Sequence, residues 1–324
     1  MFYFERRSFF LSSMSSPSSS ISHPSSFKSL WKFSRPHTII GTSLSVLALY
    51  FIALGTTNTP ISVFNIEQML AVWIACLCGN VYIVGLNQLT DVEIDRINKP
   101  HLPVASGAFT LKQGWRIVAL MGIVAIAISA LSGAWLFATV AVSLIIGTAY
   151  SLPPIRLKQF PFFAAFCILT VRGIVVNLGL FLHYSQQFQG REFINANVWL
   201  LTLFILLFTI AIAIFKDVPD LEGDKKYNIA TFSIILGKTR VFQITRAVIS
   251  LCYLGMIAAG FIGLESINSR FFISYHSILL GLLWWRSRDV DLKEKLAIAS
   301  FYQFIWKLFF LEYLLFPLAC FVRS

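Results

Sequence analysis

Apolar stretches long enough to cross a bilayer recur along nearly the whole sequence after residue 37, and no other feature restricts the fold as strongly. A hydrocarbon core of about 30 Å needs roughly 20 apolar residues in a helix, because lipid offers backbone amides no partner and a helix satisfies them internally. Nine such stretches can be drawn, at about 38–55, 68–90, 115–132, 134–150, 162–184, 198–216, 246–264, 271–285 and 301–321. The predicted fold class is all-α, a polytopic membrane protein with about nine transmembrane helices. Composition agrees: 57% of residues are hydrophobic and mean hydropathy is +0.74. Only 13% are charged, against about 25% in a soluble domain.

Charge placement orients these spans. The third and fourth are separated only by Ser132 and Gly133, which predicts a tight helical hairpin. With that hairpin and a cytoplasmic N-terminus, twenty lysines and arginines fall on the inner side and three (Arg191, Arg270 and Arg323) on the other. The positive-inside rule then predicts N-terminus in and C-terminus out. The net charge of +11 follows from this topology, and no basic helix or aromatic-interleaved patch suggests nucleic acid. The five cysteines sit in apolar segments and read as packing residues. Residues 1–30 form a Ser-rich leader, expected to be disordered or processed, with translation from Met14 as an alternative. Residues 31–324 form the membrane domain.

Seven of the fifteen acids fall in two short windows, NQLTDVEID at 87–95 and KDVPDLEGDKK at 216–226. They follow spans two and six, so both lie on the inner side. Asn87, Asp91 and Asp95 are spaced i, i+4, i+8, which puts them on one face of a helix continuing out of span two. Asp217, Asp220 and Asp224 have similar spacing, and Pro219 predicts a break at Val218 with a helix restarting at the proline. Carboxylates about 4 Å apart repel by roughly 4 kcal/mol at an effective dielectric near 20, so six converging oxygen-bearing side chains call for a cation. Mg²⁺ fits, being hard, oxygen-preferring and commonly shared between carboxylates and substrate phosphates.

Arg96, Lys99, Arg156, Lys158, Lys216 and Lys225 share the inner loops and can neutralise a diphosphate. Arg172 lies well inside the apolar fifth span, where an arginine is functional by default. The five histidines form no HExxH pair, and no P-loop, GxSxG or dinucleotide fingerprint is present. The residues therefore describe a membrane enzyme that binds a metal diphosphate with its organic chain among the helices. A cation-coupled transporter is the competing class, but it places charges near the midplane, not at helix ends.

The motifs NQLTDVEIDRINKPHLPVASG and IFKDVPDLEGDKK resemble the two aspartate-rich signatures of the UbiA-type intramembrane aromatic prenyltransferase superfamily. SRPHTIIGT, LTVRGIVVNLGLFL, LLWWRSRDV and FYQFIWKLFFLEYLLFPLA resemble its cyanobacterial, homogentisate-prenylating branch. The resemblance runs from about Trp31 to Ala319. It implies a helical bundle around a central cavity, and phytyl transfer from phytyl diphosphate to homogentisate with loss of CO₂. The implied product is 2-methyl-6-phytylbenzoquinol, on the route to tocopherol. Geranylgeranyl or solanesyl donors, or another phenol, are the alternatives. The resemblance further implies Mg²⁺ and diphosphate on Asn87, Asp91, Asp95, Asp217, Asp220 and Asp224. It puts Tyr150, Ser151, Arg156 and Lys158 on the diphosphate, and Arg35 and Lys99 near the acceptor's carboxylate. It also implies a thylakoid or plasma membrane of a photosynthetic bacterium, with a plastid membrane left open.

Overall fold

The computed structural model describes residues 26–219, 221, 231–264 and 267–321. Among them nine long helices follow one another: α1 (Pro36–Thr57), α2 (Val63–Thr90), α3 (Leu111–Ser132), α4 (Ala134–Ser151), α5 (Pro161–Gln189), α6 (Ala196–Phe215), α7 (Lys238–Ile262), α8 (Ser269–Ser287) and α9 (Lys295–Phe321). Eight of these are long and apolar enough to cross a membrane. The exception is α8, whose 19 residues include Arg270, Ser274, His276, Ser277 and Arg286. Length supports a ninth span and hydropathy does not. Leader residues 1–25 lie outside the described residues, and a short helix, Ser26–Phe33, crosses the expected domain boundary.

Local chemistry sets the helix ends. Ser62 and Thr110 form capping boxes with Asn65 and Gln113, which satisfies orphan amides at the starts of α2 and α3. Gly133 alone joins α3 to α4, at φ 141°, a backbone region open to glycine and strained for other residues. The expected hairpin therefore forms. Gly114 and Gly122 let α3 close onto α2, since a Cβ there would meet Leu89 at 2.6 Å and Tyr82 at 2.8 Å.

Helices α1, α2, α4, α5, α6 and α9 surround a cavity, while α3, α7 and α8 pack outside them. The ring closes where α9 packs on α1. Around the outside, Ile123, Leu131, Ile145, Phe162, Phe261 and Ile262 are exposed. Such a surface belongs against lipid tails, and the protein is an integral membrane protein. One irregularity interrupts the walls: Leu169–Val175, in the middle of α5, is wound as a π-helical turn and carries Arg172. Inserted π turns are rare and concentrate at functional sites.

Candidate active site

Both acidic windows open onto the same cavity, which has a volume of about 1530 Å³. Asn87, Asp91, Glu93 and Asp95 line one wall, and Lys216, Asp217 and Pro219 line another. Asp220 and Asp224 lie outside the described residues.

The first window departs from the continuous helix expected of it. α2 ends at Thr90, Asp91 leaves the helical region at φ −119° and ψ 23°, and a short helix, Val92–Asn98, begins. Aspartate tolerates such a break, and here the side chain is drawn aside by two cations. Arg156 Nη2 donates to Asp91 Oδ1 at 3.0 Å, and Lys158 Nζ sits 2.7 Å from Oδ2. Asn87 Nδ2 donates to the same Oδ2 at 3.0 Å. The i, i+4 relation survives because Asp95 N still donates to the Asp91 carbonyl at 2.8 Å. Arg35 completes the cluster, donating to Asn87 Oδ1 at 2.9 Å and standing 4.0 Å from Asp95 Oδ2.

In the second window α6 stops at Phe215, ahead of the break expected at Val218, and the restart after Pro219 falls outside the described residues. Lys216 Nζ lies 3.4 Å from Asp217 Oδ1 and donates to the Tyr150 hydroxyl at 3.4 Å.

Two features mark the mouth as built for an anion. Arg35 and Arg156 both hold the left-handed backbone conformation, at φ 53° and 37°, which costs a non-glycine residue about 1–3 kcal/mol. Each also keeps a buried Nε–H with no hydrogen-bond partner among the described residues. The charge balance points the same way: eight lysines and arginines line the cavity against four described carboxylates. Burial, followed by the charges of Lys32, Lys99 and Arg35, lowers the pKa of His101 at the rim. Burial also pushes the Lys158 amine down to about 8, although Asp91 acts to raise it.

Below this mouth the walls turn apolar, with Ala75 and Ile83 of α2, Val140 and Leu144 of α4, and Ala164 and Ile168 of α5. A polar rim above an apolar slot suits an amphipathic ligand. The volume exceeds the roughly 300–1,000 Å³ of a common small-molecule pocket, leaving room for a second substrate.

Of the residues read from sequence, Arg35, Lys99, Tyr150, Arg156, Lys158, Arg172 and Lys216 all line the cavity. Two do not reach it. Arg96 pairs with Glu93 at 2.6 Å on the surface, and Ser151 is fully buried behind the wall. Sequence reasoning also passed over His37 and one face of α9, Tyr302, Trp306, Phe309 and Tyr313. Their spacing of four, three and four is a helical stripe, but an aromatic stripe facing lipid or core has the same period. Arg172 stands over that face, its guanidinium carbon 4.8 Å from the Trp306 ring centre and 5.6 Å from that of Phe309.

The donor set fits Mg²⁺. Asn87, Asp91 and Asp95 offer hard oxygen atoms at one end of the cavity. Among the described residues no three His, Cys, Asp or Glu side chains form a metal cage. That is the usual situation for Mg²⁺, which binds through one or two carboxylates together with waters and substrate phosphates.

Residues 43–308 match the model of the UbiA prenyltransferase family. The chain is 57% identical to homogentisate phytyltransferase of Synechocystis sp., over 90% of this chain and 95% of the relative. It is 36% identical to homogentisate geranylgeranyltransferase of Triticum aestivum, over 90% of this chain and 72% of that protein. A UbiA homolog from Archaeoglobus fulgidus, bound to GPP and Mg²⁺, has the same fold with a TM-score of 0.61 and 16% identity, covering 91% of this chain and all of that one.

Proposed function

The chain belongs to the UbiA prenyltransferase family, and from that premise we propose that it transfers phytyl from phytyl diphosphate to homogentisate, with loss of CO₂. The observation that carries this reading is the single cavity in which a cationic, acid-lined mouth meets an apolar slot. The donor assignment is supported by 57% identity to the phytyltransferase against 36% to the geranylgeranyltransferase.

Asn87, Asp91 and Asp95, with Asp217, Asp220 and Asp224, would hold Mg²⁺ beside the diphosphate. When bound, Mg²⁺ supplies positive charge to the oxygens of the leaving diphosphate. Arg35, Arg156, Lys158 and Lys216 then exchange carboxylate partners for phosphate oxygens, and the unspent Nε–H donors of the two arginines find acceptors. They stabilise the negative charge that grows as the bond from prenyl carbon to oxygen breaks. Apolar walls exclude water from the allylic cation that this cleavage leaves. The electron-rich hydroquinone ring attacks that cation. A ring proton is lost, the side-chain carboxylate leaves as CO₂ and its methylene takes up a proton, giving 2-methyl-6-phytylbenzoquinol. No covalent enzyme intermediate is required.

The same reading places the mouth on the cytoplasmic side, by the positive-inside distribution, in a thylakoid or plasma membrane. The assay that tests it offers membranes labelled homogentisate with phytyl, geranylgeranyl and solanesyl diphosphates in parallel, with Mg²⁺ or EDTA. The expected result is a decarboxylated, prenylated quinol formed only with Mg²⁺ and fastest with phytyl diphosphate. A faster rate with another donor reassigns the donor, and no product from any donor in membranes holding folded protein overturns the acceptor.

A further inference from the structure

Resting on the reading above, we propose that Arg172 binds the carboxylate of the acceptor, with the aromatic face of α9 as the wall on which the acceptor ring lies. Arg172 faces the cavity, yet among the described residues no carboxylate stands within ion-pair distance of it. What touches it is the π-face of Trp306 and that of Phe309. Its ionisable neighbours are the phenols of Tyr313 and Tyr302 and the imidazole of His37; an ordinary phenol is uncharged near neutral pH and an imidazole is never an anion there. A guanidinium held below the mouth without a counter-charge calls for an anionic ligand.

The backbone beneath Arg172 is fixed to present it. Asn177 Nδ2 donates to the carbonyls of Arg172 at 3.2 Å and Gly173 at 2.8 Å, where the π turn displaces the ordinary ladder. Tyr313 of α9 donates to Asn177 Oδ1 at 2.9 Å and locks that amide. Gly173 sits against α6 where a Cβ would meet Leu206 at 2.7 Å.

Depth identifies the anion. Arg172 Nη1 lies 3.7 Å from the Cβ position of Gly41. Gly41 is six residues beyond Arg35, about 9 Å along α1 at ~1.5 Å per residue. Arg35 itself bonds Asn87 in the acidic motif. The guanidinium thus lies level with Gly41, deeper along α1 than Arg35 and the acidic motif that Arg35 bonds. Two anions enter the reaction; the diphosphate has the cations of the mouth, and the arylacetate has Arg172. Arg35 and Lys99, which the resemblance put near that carboxylate, line the mouth, where Arg35 bonds Asn87 and faces Asp95.

This contact stabilises a carboxylate over CO₂, so it acts on binding and ring orientation before the carbon–carbon bond forms. Loss of CO₂ removes the only anion on the acceptor, and the quinol product no longer holds to Arg172.

The test compares wild type with Arg172→Gln and Arg172→Lys in the full chain, using homogentisate and methylhydroquinone, its analogue without the carboxylate. Arg172→Gln is expected to raise KM for homogentisate roughly 10- to 100-fold. KM for phytyl diphosphate and for methylhydroquinone stay within about twofold, and Arg172→Lys gives a smaller rise confined to homogentisate. An unchanged KM for homogentisate, or an equal rise for both acceptors, overturns the proposal. Where Arg172→Gln fails to fold, Arg172→Lys carries the same comparison and the same two outcomes. Calorimetric titration of homogentisate separates the subsite from the reaction. Binding by wild type and not by Arg172→Gln sustains the subsite even if no donor is turned over, and no binding by wild type overturns it.

Discussion

Two groups of polar side chains sit deep in this apolar molecule. At the mouth, Arg35, Asn87, Asp91, Arg156 and Lys158 interlock through charge-assisted bonds. On the far side of α9, Tyr275 donates to Glu312 Oε1 at 3.3 Å, His276 Nε2 lies 3.4 Å from the same atom, and His276 Nδ1 donates to the Phe272 carbonyl at 2.8 Å. Neither group is fully satisfied, since Glu312 Oε2 has no hydrogen-bond partner among the described residues. What separates them is access. The first cluster lines the cavity and holds two arginines in left-handed backbone; the second does not line that cavity, and His276 and Glu312 are fully buried. Unspent bonding capacity signals ligand chemistry where a ligand can arrive. Where none can arrive, the same residue types join helices.

The largest effect expected from this contrast is that of Asp91→Ala. Activity should fall by roughly 10³-fold or more, with an unchanged elution profile in detergent; turnover within tenfold of wild type would remove Asp91 from the metal site. Arg156→Ala comes next, with about a 10²-fold loss in kcat/KM for the donor and weaker protection of the fold by diphosphate, read as a smaller ligand-induced rise in Tm. Glu312→Leu tests the sealed cluster. Leaving the buried Tyr275 hydroxyl without its acceptor, and His276 without the carboxylate beside it, should cost about 1–3 kcal/mol of stability, seen as a lower Tm, with kcat of the folded fraction unaltered. A kcat loss as large as that of Arg156→Ala would erase the distinction between the clusters. Arg96→Ala should do least, leaving activity within about twofold, since an exposed pair such as Arg96–Glu93 contributes little.

Much of the bundle was legible because hydropathy and helical period are local. The spans, the hairpin at Gly133 and the two acidic windows needed only neighbouring residues. Within α8, His276 lies against Glu312, 36 residues later, and no window of sequence shows that pairing. The same holds at the mouth, where Arg35 bonds a residue 52 positions away and Arg156 one 65 positions away. Basic residues on one side of a membrane look alike in sequence, whether they turn inward as Arg156 does or outward as Arg96 does. The helix break at Asp91 was missed for a related reason. Its spacing is helical, and the cations that hold its carboxylate where the helix breaks, Arg156 and Lys158, are more than 60 positions away.

The left-handed backbone at Arg35 and Arg156 sets a limit on how this enzyme can be improved. Glycine at either position would relieve the backbone strain, but it would delete both the bonds to Asn87 and Asp91 and a donor that the diphosphate needs. The strain at these two sites therefore cannot be engineered away without losing the side chains it presents. Durable mutants should be sought instead on the lipid-facing sides of α3 and α7, which line no part of the cavity.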